Sequence, residues 1–260
     1  MDRARRRKFG QNFLNDATAA LIASDLLVST ESILEIGPGH GALTQHLLKK
    51  NTPLLAVEID ELCVSVLREK FAEFQNFSVV NQNFLDFDLR KFLDVNPKAW
   101  ITGNLPYNVS TAIVADLMPF LKYSSGFMGM VQLEVAERLC AKPASKAYGS
   151  LSVWVQAHAQ AQIVRRVGPE NFSPKPNVDS ATIMLKPLEC PLQAPIAFFE
   201  WVQIAFSMKR KRIANSLSKH FEKALVFEAL ASLGLSENTR AEELSPQKLL
   251  DLYQALQSKI

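Results

Sequence analysis

Between Ser32 and about Lys186 the chain alternates short apolar runs with amphipathic stretches, and this alternation restricts the fold more than any other feature. Residues 32–36, 54–59, 77–80, 100–103 and 127–131 read as strands, and residues 41–50, 61–74, 111–117 and 133–139 as helices. Strands separated by helices imply a mostly parallel sheet covered on both faces. Residues 162–167 and 180–185, with a Pro-rich loop between them, read as a closing pair of edge strands. After Pro187 the texture changes. Pro191 and Pro195 mark a linker, and residues 198–206, 213–220, 224–233 and 247–256 read as short helices. Ser245-Pro246 supplies an N-cap followed by proline at the first helical position. The expected organisation is an α/β domain over residues 1–190 and a small all-helical domain over residues 191–260.

With 260 residues and 48% apolar side chains, the chain has ample material for a core. It holds no run of eighteen apolar residues, so no membrane span is expected. The basic N-terminus has no apolar segment behind it, so no secretory signal is expected. Cys63, Cys140 and Cys190 are far apart, as are His40, His46, His158 and His220. That spacing suits neither a disulfide framework nor a zinc site, and fits a reducing cytosol. The net charge of +3 is unevenly distributed. Residues 1–10 hold five basic residues and one acid, and Lys209-Arg210-Lys211-Arg212 is a second basic run. Two concentrated patches suit a polyanion held at defined places. Solvated tails and helix faces, however, commonly carry such runs too.

At the end of the first expected strand stands Glu35-Ile36-Gly37-Pro38-Gly39-His40-Gly41, which contains three of the chain's ten glycines. Such a turn lets backbone approach a ligand where a Cβ would obstruct it. Glu58, closing the second strand, is placed to accept both hydroxyls of a ribose in the crevice where open α/β sheets bind ligands. Simple strand–helix packing also uses Gly-x-Gly. The glycine spacing fits the dinucleotide fingerprint poorly, and there is no P-loop, so the nucleoside cofactor stays open at this level.

Asn104-Leu105-Pro106-Tyr107 follows the apolar run 100–103. The Asn104 side-chain oxygen and the Leu105 carbonyl can both accept from one exocyclic amine, and the Tyr107 ring can stack on the base that carries it. That is a way to hold N6 of a flipped adenine while a group is transferred to it. An ordinary strand-to-helix turn draws on the same residue types.

Several segments together resemble the small-subunit ribosomal RNA adenine N6,N6-dimethyltransferases, the kasugamycin-sensitivity family. They are residues 8–14, 35–44, 104–111, 132–139, 148–152, 171–180 and 206–217, in the family's order and spanning nearly the whole chain. The resemblance implies a Rossmann-like class I methyltransferase sheet with helices on both faces, a small all-helical C-terminal domain, and S-adenosylmethionine as methyl donor. It implies that Asn12 and Leu14 close over the cofactor, that Gly37 and Gly39 line it, that Glu58 binds the ribose, and that Asn104 sits between donor methyl and target amine. It also implies dimethylation of two adjacent adenosines in a hairpin near the 3′ end of small-subunit RNA, within an assembling 30S particle. A cytoplasmic monomer without a metal is the matching expectation.

One departure is Asn83, where the family usually carries an Asp that accepts from the cofactor's adenine amine. An uncharged Asn oxygen makes a weaker bond, and Asp86 nearby is the alternative acceptor. For transfer, Tyr107 is expected on one face of the base and Phe172 on the other, with no general base assigned. A helix over residues 206–217 is expected to present Lys209, Arg210, Lys211 and Arg212 to phosphates, with Arg165 and Arg166 extending the track. Related enzymes of the large subunit usually read Asn-Ile-Pro-Tyr at this motif. A reading from another class is an RNA-binding assembly factor with catalysis lost. Asn83 favours that reading, while Glu58, Asn104 and the glycine turn oppose it.

Overall fold

The computed structural model describes residues 12–26 and 31–258; the Arg-rich start of the chain, residues 1–11, lies outside the described residues. The strands in chain order are β1 (Phe13–Leu14), β2 (Ile33–Ile36), β3 (Leu54–Glu58), β4 (Phe77–Asn81) and β5 (Trp100–Asn104). They continue with β6 (Gly126–Gln132), β7 (Ala159–Val167), β8 (Phe172–Ser173) and β9 (Ser180–Pro187). Seven form one sheet in the order β4-β3-β2-β5-β6-β9-β7, and β1 pairs with β8 separately. The run β4 to β6 is parallel, while β9 is antiparallel to both neighbours.

Burial follows from that layering. β2 is buried at every position, and β5 and β6 at all but their last, because helices cover both faces. β7 alternates between exposed and partly buried positions, with only its end residues Ala159 and Val167 buried, and carries a register shift between Ile163 and Arg165, a common way to blunt an edge. Of the two strands expected to close the sheet, only β7 is an edge. β9 lies inside and is buried from Ser180 to Leu185, with Ser180 and Thr182 as buried polar positions.

The chain runs outward from β2 to β3 and β4, then returns to start β5 on the other side of β2. β2 and β5 therefore lie side by side where the strand order reverses, with Ile33 paired to Trp100 and Glu35 to Thr102. One residue further on, a Cβ on Gly103 would collide with the Ile36 carbonyl. Glycine there permits the two backbones to close up just before Asn104. The glycine turn leaves β2 with Gly37, Gly39 and Gly41 at φ of +63°, +57° and +79°. These angles delay the following helix, which is Thr44–Leu47 plus a single 3₁₀ turn, Leu48–Lys50, rather than the ten residues expected from residue 41.

Helices Asp16–Asp25, Leu89–Val95 and Ser150–Gln156, and the β1–β8 pair, are elements that periodicity did not reveal. The first begins at Asn15, whose side chain accepts from the Thr18 N–H at 2.9 Å. Its apolar residues do not form one clean stripe: Ile22 is buried and Leu21 is nearly half exposed.

The chain groups into two compact units. One holds the described residues up to Ala136 together with Ala159–Glu189; the other holds Glu137–His158 and Cys190 onward. The latter enters its unit for the last time at residue 190, but residues 137–158 also belong to it. Tyr148 explains part of that excursion, being buried among Phe198, Trp201 and Leu249 with its hydroxyl donating to the Leu244 carbonyl at 3.0 Å. The helical half contains Ile196–Ala205, Ile213–Leu217, Lys223–Ser232 and Pro246–Gln257. The single helix expected over residues 206–217 is interrupted. Arg210 adopts φ +63°, Arg212 forms a bridge with Arg240, and the Ile213 N–H donates to Thr239 at 2.8 Å. Lys209–Arg212 therefore ride an exposed turn ahead of a five-residue helix. Among the described residues, no helix is long and apolar enough to cross a membrane.

Gly103→Ala is expected to destabilise the protein by about 1–3 kcal/mol, since backbone must move to admit the methyl group. Urea unfolding checks this, and an unchanged midpoint would show that β2 and β5 have room to spare.

Candidate active site

A cavity of about 320 Å³ opens at the reversal between β2 and β5. Asn12, Leu14, Gly37, Gly39, Glu58, Asn83 and Asn104 all line it, as do Leu105 and Tyr107. Sequence positions almost a hundred residues apart thus meet in one space. Phe172 and the basic run 209–212 are not part of the lining.

Glu58 is 3% exposed, and its carboxylate spans two backbone donors. Oε2 accepts from the Gly39 N–H and Oε1 from the Asp60 N–H, both at 2.9 Å. Burial raises its pKa, and these two bonds oppose the rise. A carboxylate offers about four lone-pair sites, so capacity stays available for a ribose diol while the Gly39 bond fixes the glycine turn. Glu58 is thus both a candidate ligand and the brace of the cradle, a second role that its position in the sequence did not suggest.

Asn104 is held from the opposite wall. Its Nδ2 donates to the Asn12 carbonyl at 2.8 Å. A carbonyl can only accept, so this contact fixes which end of the amide faces the arm. The other end, Oδ1, is buried without a hydrogen-bond partner among the described residues. An orphaned acceptor in a cavity wall is costly unless a ligand donor meets it. Tyr107 is half-buried, with its hydroxyl 2.6 Å from Ser180 Oγ, which ties the ring to β9. Burial raises its pKa, with the Ser180 bond acting the other way.

The arm carrying Asn12 is pinned at several points. β1 pairs with β8 through Phe13 to Ser173 and Leu14 to Phe172. The Phe13 ring stacks on His40 with centroids 4.4 Å apart and lies where a Cβ on Gly39 would be, 2.8 Å from that position. Two residues of β1 thereby form one side of the cavity.

Asn83 lines the cavity, while Asp86 is exposed and outside the lining. The two are joined: Asn83 Nδ2 donates to Asp86 Oδ2 at 3.0 Å, and Asn83 Oδ1 accepts from the Leu85 N–H at 3.3 Å. Phe172 is 6% exposed and sits in the core cluster that contains Leu14 and Met184, a packing position the Pro-rich surroundings did not predict. Tyr107 lines the cavity while Phe172 does not, so the two rings expected on opposite faces of the base do not share its lining. Arg165 is committed to Asp25 through guanidinium contacts of 3.0 and 3.1 Å, which leaves it little freedom to join a phosphate track.

Glu35 is a site residue that the strand pattern concealed, since it reads as one polar position in a buried strand. It is 1% exposed, lines the cavity and accepts from the Thr44 hydroxyl at 2.7 Å. Burial pushes its pKa up to about 8, the Thr44 bond opposes that, and Glu58 adds a smaller upward push. The glycine cradle and a buried carboxyl with free lone pairs suit a nucleoside, and a positive charge on that ligand would favour ionisation of Glu35.

A reversing parallel sheet with this cradle defines a class I methyltransferase of the Rossmann-like type. Two solved structures are similar. A dimethyladenosine transferase from Plasmodium falciparum gives a TM-score of 0.81 at 23% identity, over 96% of this chain and 98% of the other. The 23S rRNA methyltransferase ErmE gives 0.70 at 27% identity, over 95% and 100%. Proteins called ribosomal RNA small subunit methyltransferase A are 36% identical in Lactococcus lactis, covering 96% of this chain and 90% of that protein. In Hahella chejuensis the identity is 36%, with coverage of 92% and 88%. The profile of the ribosomal RNA adenine dimethylase family matches residues 2–258, and the chain belongs to that family. It is an S-adenosylmethionine-dependent rRNA adenine dimethyltransferase.

Glu35 generates a prediction with a definite sign. Its folded pKa lies above the unfolded value of 4.5, so the folded state binds the extra proton between pH 4.5 and about 8. Stability should therefore fall as pH rises through that window, by up to about 1.4 kcal/mol per pH unit from this group. Glu35→Gln should flatten the slope in thermal melts between pH 5.5 and 8. An unchanged slope would mean that Glu35 ionises as a solvated carboxylate does.

Proposed function

We propose that this protein transfers methyl groups from S-adenosylmethionine to N6 of adjacent adenosines near the 3′ end of small-subunit ribosomal RNA, within an assembling 30S particle. The observation that carries the residue-level reading is Asn104 Oδ1, without a partner among the described residues, in the cavity wall beside Glu58 and the glycine turn. Bound there, S-adenosylmethionine supplies an electrophilic methyl on a sulfonium centre. Glu58 would hold the ribose hydroxyls, Asn83 would face the cofactor's base, and Asn12 and Leu14 would cover it.

Adenine N6 is a weak nucleophile because its lone pair is delocalised into the ring. Asn104 Oδ1 and the Leu105 carbonyl, accepting from the two amine hydrogens, favour a pyramidal nitrogen aimed at the methyl. Positive charge grows on that nitrogen during transfer, so both acceptors bind it more tightly in the transition state than before it. Tyr107, anchored through its hydroxyl, offers its ring to one face of the flipped base. Alignment and charge placement carry the rate, and no side chain is assigned as a general base.

Lys209, Arg210, Lys211 and Arg212 form an exposed turn in the helical half without acidic partners among the described residues. They are proposed to hold RNA phosphates, contacts that position without reading sequence. The protein acts as a cytoplasmic monomer in this reading.

Methyl transfer to small subunits from cells lacking the enzyme, followed by nucleoside analysis, tests the function. N6,N6-dimethyladenosine in the 3′ region is the expected product, and Asn104→Ala is expected to abolish it while subunit binding persists. Binding without any incorporation by the wild-type protein would favour the assembly-factor reading. Replacing residues 209–212 with alanine should weaken RNA binding and flatten the slope of log affinity against log salt by about 0.7 for each lost phosphate contact. An unchanged slope would place the phosphate track elsewhere.

A further inference from the structure

The reactive orientation of Asn104 depends on a carbonyl that belongs to a different part of the chain. Asn12 contributes that carbonyl from an arm two strand residues long, too short to hold its own position. Besides the β1–β8 pairing and the Phe13–His40 stack, one residue gathers several of the hydrogen bonds that hold it. Asn171 accepts through its backbone carbonyl from the Asn15 N–H at 2.8 Å. Its side-chain Oδ1 accepts from Thr18 Oγ1 at 2.9 Å and from Asn15 Nδ2 at 3.3 Å. Its Nδ2 donates to the Gly168 carbonyl at 3.0 Å and to Glu170 Oε1 at 3.1 Å, so the amide is oriented from its own side as well. Directly beyond it, Phe172 and Ser173 pair with Leu14 and Phe13.

We propose that Asn171 is a positioning residue for methyl transfer: it latches the 12–15 arm so that the Asn12 carbonyl fixes Asn104 with its oxygen toward the target amine. The proposal rests on Asn104 being the acceptor for that amine. An Asn amide has nearly equivalent ends in shape but opposite ends in hydrogen bonding. Held by the Asn12 carbonyl, it presents an acceptor. Released, it rotates about its terminal bond and sets its NH₂ against the substrate NH₂, two donors facing each other. Asn171 is not part of the cavity lining and acts through the arm. Because Asn12 and Leu14 also line the cavity, loosening the latch weakens cofactor affinity as well, so the decisive readout is the rate at saturation.

The test compares wild-type, Asn171→Ala, Asn171→Asp and Asn104→Ala proteins in single-turnover transfer to small subunits at saturating S-adenosylmethionine. Affinity for S-adenosylhomocysteine is measured separately by calorimetry. Asn171→Ala is expected to lose about tenfold to a hundredfold in saturated rate. Asn171→Asp keeps an acceptor for Thr18 and Asn15 but sets its second oxygen against the Gly168 carbonyl and the Glu170 carboxylate, so it is expected to fall between wild type and Asn171→Ala. Should Asn171→Ala not fold, Thr18→Val removes one hydroxyl donor to the latch at constant shape and is expected to slow the saturated step in the same direction. A folded Asn171→Ala or Thr18→Val with wild-type saturated rate overturns the latch. An inactive wild-type protein, or an active Asn104→Ala, overturns the functional reading instead.

Discussion

Everything at the site depends on two parallel strands lying in contact where the sheet changes direction. β2 and β5 are sequential neighbours of other strands, not of each other, yet they pair along the reversal and end at the same level. What leaves β2 is a backbone-lined turn, and what leaves β5 is an amide with a carbonyl behind it. A glycine at position 103 removes the side chain that would otherwise separate those ends. The crevice is therefore a consequence of topology, and the particular residues make it selective.

Polar groups lining it share tasks. Glu58 braces the Gly39 turn while keeping lone pairs for a ligand, so a change there alters cradle and ligand contact together. Glu35, buried behind it, is a reservoir of unfavourable desolvation that a cationic ligand would relieve. Asn104 is tied on one side and unsatisfied on the other. Each of these groups gains when a ligand of complementary charge or hydrogen bonding meets it, which is how binding energy becomes directed toward transfer.

Much of this was legible from residue pattern. The alternation of apolar runs and amphipathic stretches placed every strand from β2 to β6, and Gly37, Gly39 and Glu58 could be tied to one crevice because α/β sheets bind at strand ends, while the family resemblance put Asn104 beside them. Other features were not legible, for physical reasons. β1 and β8 are two residues each and exist only through pairing across a separation of more than 150 positions, so no local periodicity marks them. Phe172 looked available for stacking because prolines surround it, but the β1–β8 pair turns it into the core. The basic run seemed to open a helix, whereas contacts with Thr239 and Arg240 make it a turn. Non-local pairing decided each of these cases, and it leaves no local trace.

The central claim is that Asn104 offers its oxygen, and not its nitrogen, to the amine of a flipped adenine. A crystal structure with S-adenosylhomocysteine and an adenosine-containing RNA hairpin addresses it most directly. The account predicts the adenine N6 about 3 Å from Asn104 Oδ1, with Nδ2 still on the Asn12 carbonyl. An adenine bound elsewhere, or an Asn104 amide released from Asn12 with its nitrogen toward the base, would contradict it.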